Sequence, residues 1–151
     1  MEWINVFGLI FMAVIMLPNI IFAASGRGGF ENLWKNRRVE ILEQIGRYGC
    51  FIFMIVNIPG TWSGWRSDEW FAVYLLTDSA LILIYLIIWV TAFRKESLFT
   101  ALSLSAIPSF IFLFSGIASG SVLLTVSALL FVPSHILLSY MNQKAKEKIN
   151  G

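Results

Sequence analysis

The chain has 151 residues, of which 58% are hydrophobic and 13% are charged, and its formal net charge is +2. A soluble domain carries about 25% charged residues, so the composition excludes that class and indicates a membrane protein with several spans. The small net charge, with basic residues spread over several loops, argues against nucleic acid as a partner. One cysteine and one histidine exclude an internal disulfide or a Cys/His zinc site built by this chain alone, and no cofactor is predicted.

Five apolar stretches predict an all-α helical bundle that crosses the membrane five times, because one helical crossing takes about 20 apolar residues. We expect a single domain, 1–151, in which a cytoplasmic amphipathic segment joins the first two spans. A polar tail that frays is expected after the last span. The spans lie at about residues 3–24, 48–65, 70–93, 97–115 and 120–140, the amphipathic segment at about 30–46 and the tail at 141–151.

The first stretch is a membrane helix rather than a signal peptide, because it starts with Glu2, lacks a basic residue and is too long for a signal sequence. Pro18 is expected to kink it. Asn19 has two readings, an interhelical hydrogen bond or a ligand contact. One face collects small and polar side chains at helical spacing: Asn5, Gly8, Met12, Ile15, Asn19 and Ala23.

Residues 30–46 combine apolar side chains at helical spacing with charges on the other faces, as in a helix that lies along the membrane surface. Their basic side chains are expected to contact anionic lipid headgroups. The apolar positions are Phe30, Leu33, Trp34, Ile41 and Ile45.

The second predicted span is short and contains Asn57 and Pro59. Its sequence places Asn57 near the middle of the membrane, at a depth similar to that of Asp78 in the next span. Tryptophans then cluster at one interface, as an aromatic belt requires. They are Trp62, Trp65 and Trp70, joined by Trp3.

The third span carries one acid, Asp78, roughly 12 Å below the start of its apolar run. Asp at the centre of a membrane helix costs about 2.5 to 3.5 kcal/mol, so this side chain is expected to face other helices. Helical spacing puts it on one face with Phe71, Tyr74, Ile82, Tyr85 and Trp89. We predict a binding or proton-linked cluster made of Asp78, Tyr74, Asn57 and Tyr85.

The last two spans show a faint repeat 25 residues apart. It indicates either an inverted repeat with paired proline breaks, as some transporters have, or a coincidence with tolerated kinks. His135 is the other ionisable candidate, either a bundle hydrogen bond or part of a relay, and Ser109 and Ser134 are secondary candidates. The matching pairs are Thr100 and Thr125, Leu104 and Leu129, Pro108 and Pro133, Ser109 and Ser134, and Ile111 and Ile136.

With five spans, the basic residues of the loops fall unequally on the two sides of the membrane. Arg66 falls alone on one side, and ten basic residues fall on the other, which the positive-inside rule assigns to the cytoplasm. The amino terminus is then outside and the carboxyl terminus inside, in the plasma membrane. The ten are Arg27, Lys35, Arg37, Arg38, Arg47, Arg94, Lys95, Lys144, Lys146 and Lys148.

The sequence leaves three classes of function. A small-solute or ion transporter or channel subunit fits the buried carboxylate, and so few helices require a homo-oligomer or a partner membrane subunit. A non-catalytic accessory protein of a membrane complex fits the small size and short outer loops. A membrane enzyme comes third, because neither a nucleophile motif nor paired acids accompany Asp78 or His135.

Overall fold

The computed structural model describes residues 3–25, 32–92, 95 and 97–151, and over these residues the fold consists of five helices joined by loops, with two isolated bridges and no strand. The predicted all-α membrane bundle is confirmed. Four helices, all except α2, are long and apolar enough to cross a membrane. The five helices are α1 (Val6–Ala24), α2 (Arg37–Ile55), α3 (Asp68–Ala92), α4 (Leu98–Ala118) and α5 (Val122–Asn150).

Four helices begin on a side chain that satisfies their first free N–H groups. The caps are Asn5, Asn36, Ser97 and Ser121, each of which accepts a hydrogen bond from a backbone N–H two or three residues ahead. Such caps stabilise a helix start by roughly 1 kcal/mol, so they place the beginnings of these helices at defined residues.

The bundle has two ends of different chemistry. The tryptophan end comprises residues 3–5, 56–67 and 119–121, which are tied together where Asn57 N donates to Trp3 O and Val122 N donates to Thr61 O, both at 2.9 Å. The basic end holds the opposite helix ends, where Trp34 N donates to Asn142 Oδ1 at 2.9 Å. Successive helices therefore alternate in direction. The basic end carries Lys35, Arg37, Arg38, Lys95, Lys144, Lys146 and Lys148.

The second helix has different bounds in the structure from those predicted from the sequence. Residues 37–46, predicted to lie on the membrane surface, and residues 48–55 of the predicted second span form one continuous helix, α2. Residues 56–65 lie outside it, in a loop where Pro59 precedes Gly60 at a φ of +85°. Residues 30 and 31 of the predicted surface segment lie outside the described residues.

α2 contains two glycines, Gly46 and Gly49, and both lie where α2 packs closely against α5. A Cβ on Gly46 would lie 2.6 Å from the backbone N of Phe131, and one on Gly49 would collide with Ser127. Small residues of this kind let membrane helices approach closely. α2 therefore runs antiparallel to α5 from the basic end towards the tryptophan end.

The carboxyl-terminal residues 141–150 continue α5 instead of fraying. They contain neither proline nor glycine and are rich in helix-favouring Lys, Glu, Gln and Ala, so the helix has no local reason to stop before Gly151. The predicted polar tail is therefore the last part of a helix that extends beyond the apolar region.

The prolines do not break the last two helices, so of the two alternatives the structure agrees with tolerated prolines and not with paired breaks. Pro108 and Pro133 lie inside continuous α4 and α5. The serine after each proline donates to a carbonyl four residues back, Ser109 Oγ to Ser105 O at 2.7 Å and Ser134 Oγ to Leu130 O at 2.6 Å. Such bonds help a membrane helix tolerate proline.

The helices pack as a ring in the order α1, α2, α5, α4, α3, with α3 returning to α1. The residues at its centre are almost inaccessible. They include Cys50, Met54, Tyr74, Asp78, Ile111, Phe112 and Ala128.

Candidate functional site

Asp78 lies in the centre of the ring. Its side chain is 0% exposed, and the hydroxyl of Ser115 on α4 donates to its Oδ2 at 2.5 Å. Its Oδ1 accepts no hydrogen bond from any described residue. An ionised carboxylate in such a place is costly, since one neutral donor replaces the hydration it loses.

The spacing argument for α3 is confirmed. Tyr74, Asp78, Ile82 and Tyr85 are its buried residues. Asp78 stands ten residues, roughly 15 Å, after the start of α3, and Ser115 is three residues before the end of α4. The acid is therefore closer to the tryptophan end of α4 than to its basic end.

The two tyrosines on this face have partners of their own. Asn5 Nδ2 donates to the Tyr74 hydroxyl at 3.5 Å, and the Tyr74 ring packs on Trp65 with centroids 4.7 Å apart. The Tyr85 hydroxyl forms a hydrogen bond with the side chain of Asn19. Tyr74 and Trp65 thus cover Asp78 on the side of the tryptophan end, and Tyr85 joins α3 to α1.

Asn57 is placed beyond the carboxyl end of α2 instead of in the middle of a span. It is buried, with 9% exposed, and its backbone pairs with Trp3 at the tryptophan end. The direct donor to Asp78 is Ser115, which sequence reasoning did not single out. The available signal was weak: α4 contains several serines in a run without charge, of which Ser105, Ser109 and Ser115 are buried.

A second polar cluster lies between α2 and α5. Glu43 is only 2% exposed, and its Oε1 contacts both Arg47 Nη2, one turn further along α2, and His135 Nδ1 of α5 at 3.0 Å. The His135 ring stacks on Phe131, with centroids 4.5 Å apart and planes 20° apart. An acid and a base at this depth form a neutralised pair.

Sequence reasoning missed this cluster because it assigned Glu43 and Arg47 to the basic side of the membrane. Arg47 instead lies ten residues after the start of α2 and eight before its end, roughly 15 and 12 Å from them. The missed signal was helical spacing, since Glu43, Gly46, Cys50 and Met54 recur every three or four residues and are the buried residues of α2. Arg27 and Arg94 lie outside the described residues.

The remaining secondary candidates serve helix geometry and packing. Ser109 and Ser134 bond to carbonyls of their own helices, and Asn19 also donates to Ile15 O at 3.5 Å. Within the described ranges, no group of three His, Cys, Asp or Glu side chains is placed to hold a metal ion.

Comparisons with models of known protein families, with curated proteins and with solved structures find no match to this chain. The chemistry of its buried polar groups therefore carries the functional argument.

Proposed function

We propose that the protein is a small ion or small-solute transport subunit, active as an oligomer, in which Asp78 takes up and releases a proton. The observation that carries this proposal is the state of Asp78, which is fully buried, accepts from one hydroxyl and has one oxygen to which no described residue donates. Ionisable groups at membrane depth serve ion and proton pathways in many membrane proteins, because their cost is otherwise hard to justify.

The surroundings of Asp78 support proton exchange more than a fixed ion pair. The buried face of α3 contributes tyrosines, and α4 carries no ionisable side chain between Leu98 and Ala118. With no cation held beside it in the described bundle, the charge of Asp78 depends on whether it carries a proton. A change in packing that admits water would then change its protonation.

The orientation we propose places the basic end in the cytoplasm of a cell whose plasma membrane contains the protein. Seven described Lys and Arg residues lie at the basic end and Arg66 at the other, which matches the positive-inside rule. Reporter fusions at Lys95 and Gly151 should report the cytoplasm and fusions at Ser67 the outside. A cytoplasmic signal at Ser67 contradicts this orientation.

Proton flux through reconstituted vesicles tests the proposed function. The purified protein is placed in liposomes that contain a pH-sensitive dye, and a potassium diffusion potential drives protons inwards. The parent should acidify the lumen faster than empty vesicles do, and Asp78→Asn should reduce the rate to that of empty vesicles, because an amide cannot carry the proton.

Asp68→Asn is the matched control, since it makes the same change at an exposed position of the same helix. It should keep the parental rate. Equal rates for the parent and a folded Asp78→Asn variant contradict the proton-linked role of Asp78. A parent no faster than empty vesicles contradicts proton conduction by this chain alone.

A second candidate, a non-catalytic accessory subunit, is favoured by one observation on α2. Gln44 is exposed seven residues into the helix, beside the exposed apolar side chains of Ile41, Ile45 and Tyr48. An amide at membrane depth gains by hydrogen bonding across helices. Gln44→Leu should weaken co-purification of a partner membrane protein if this role is correct, and unchanged co-purification contradicts it.

A further inference from the structure

Arg47 has donor capacity that its contacts in the structure leave unused. A guanidinium carries five N–H donors in a planar fork, and in the described part of the chain Arg47 uses one nitrogen, Nη2, to reach Glu43. Its side chain is 36% exposed, although it lies halfway along a helix of the bundle.

Arg47 lies on α2 between two residues that contact other helices. Arg47 and Phe51 lie one turn apart, and the Phe51 ring packs on Phe112 of α4 with centroids 6.0 Å apart. Glu43, one turn in the other direction, faces His135 of α5. Arg47 therefore lies between the contact that α2 makes with α5 at Glu43 and the contact that it makes with α4 at Phe51.

Glu43 has a second partner that can keep it satisfied if Arg47 turns away. His135 Nδ1 and Arg47 Nη2 both contact the same oxygen, Oε1. An incoming anion can recruit the Arg47 fork while Glu43 remains bonded to His135, so binding leaves no buried carboxylate without a partner.

The charge of the cluster sets the ligand class. Glu43 and Arg47 cancel, so the net charge is zero with neutral His135 and +1 with protonated His135. The helices packed against α5 are α2 and α4. α4 carries no ionisable side chain, and Glu40 on α2 accepts from Asn32 Nδ2 at 2.7 Å. The protonated cluster therefore has a positive charge that an anion can balance.

We propose that Arg47 binds a small oxyanion, a carboxylate or a phosphate, and that binding is coupled to protonation of His135. The planar fork of arginine matches both kinds of oxyanion with two parallel hydrogen bonds. The site lies on α2 and α5, and Asp78 lies on α3, so this proposal stands independently of proton transfer by Asp78.

The single histidine of the chain makes the test unambiguous, because a sample labelled with nitrogen-15 histidine gives the signals of His135 alone. The protein in phosphatidylcholine nanodiscs is titrated with inorganic phosphate or succinate at constant ionic strength, with chloride as the balancing anion. The His135 resonances should shift saturably. Binding should tighten at least about tenfold as the pH is lowered and His135 takes up a proton.

Three variants separate the proposed site from other causes. Arg47→Gln should abolish the saturable shift, and Arg47→Lys, which keeps the charge and can still pair with Glu43, should weaken binding about tenfold because it loses the planar fork. Arg66→Gln removes an arginine at the tryptophan end and should bind like the parent.

A second arm distinguishes the source of the oxyanion. Nanodiscs that contain phosphatidylglycerol, without soluble phosphate or succinate, should leave the His135 signals unchanged if the ligand is a free solute. A shift there that Arg47→Gln removes assigns the oxyanion to a lipid headgroup. A pH-independent response, equal responses of the parent and a folded Arg47→Lys variant, or no response in either arm overturns the proposal.

Discussion

Asp78 and Glu43 are buried to nearly the same extent, with 0% and 2% of their surfaces exposed, yet their surroundings differ in kind. Oε1 of Glu43 contacts both Arg47 and His135, whereas Asp78 accepts from one serine hydroxyl and its other oxygen has no donor among the residues that the structure describes. Burial alone therefore does not decide what a membrane acid does. A neighbouring cation fixes the charge of Glu43, whereas nothing comparable fixes that of Asp78.

The largest expected effect comes from making the same change at both acids. Glu43→Gln should lower the free energy of unfolding by about 1.5 to 3 kcal/mol, because it removes the charged acceptor shared by the half-exposed Arg47 and His135. Asp78→Asn should change it by about 1 kcal/mol or less, since an amide can still bond to Ser115. Denaturant unfolding in one detergent gives both values.

Glu40→Gln is the control for this pair. Glu40 lies one turn before Glu43, is less buried, and bonds to the exposed side chain of Asn32, so the change should cost less than about 1 kcal/mol. Equal losses for Glu43→Gln and Asp78→Asn would show that the neighbouring cations do not distinguish the two acids.

A substitution at the contact between α2 and α5 should alter the surroundings of Glu43 and leave those of Asp78 unchanged. Gly46→Ala puts a methyl group 2.6 Å from the Phe131 backbone N, so the helices must separate. We expect a loss of about 1 to 3 kcal/mol, as for other overpacked contacts, together with altered His135 resonances. Gln44→Ala, at an exposed position of α2, should cause neither change. Unaltered stability and resonances in Gly46→Ala would argue against this close approach.

The smallest expected effect reports the charge of Asp78 directly. A double-mutant cycle of Ser115→Ala with Asp78→Ala measures their coupling. We expect about 0.5 to 1.5 kcal/mol, the range for a hydrogen bond between neutral groups, because no cation stabilises the ionised form. A coupling of about 1.5 to 3 kcal/mol would indicate an ionised Asp78 and remove the contrast with Glu43.

The inward face of α3 could be predicted because helical periodicity is a local property. A charge-free run with one acid leaves few orientations, and Tyr74, Ile82 and Tyr85 follow from spacing alone. The donor to Asp78 could not be predicted in this way. It depends on the rotation of α4 against α3, and Ser115 is 37 residues away in the chain.

The course of α2 was mispredicted for a related reason. Five charged residues in Arg37–Arg47 led to the prediction of a surface helix, since charge in a membrane helix is costly. The structure offsets part of that cost by pairing Glu43 with Arg47 and His135. Arg47 is visible from the local sequence at a spacing of four, but His135 becomes a partner only through the fold.

The pairing of α2 with α5 has a consequence for how the protein is made. Glu43 and His135 are separated by 92 residues, and a ribosome adds about 5 to 20 residues per second, so α2 waits on the order of ten seconds for its partner. During that interval its charged half has no buried cluster to join. α2 must therefore remain with the insertion machinery, or lie at the bilayer surface, until α5 has been synthesised and the two helices can pack.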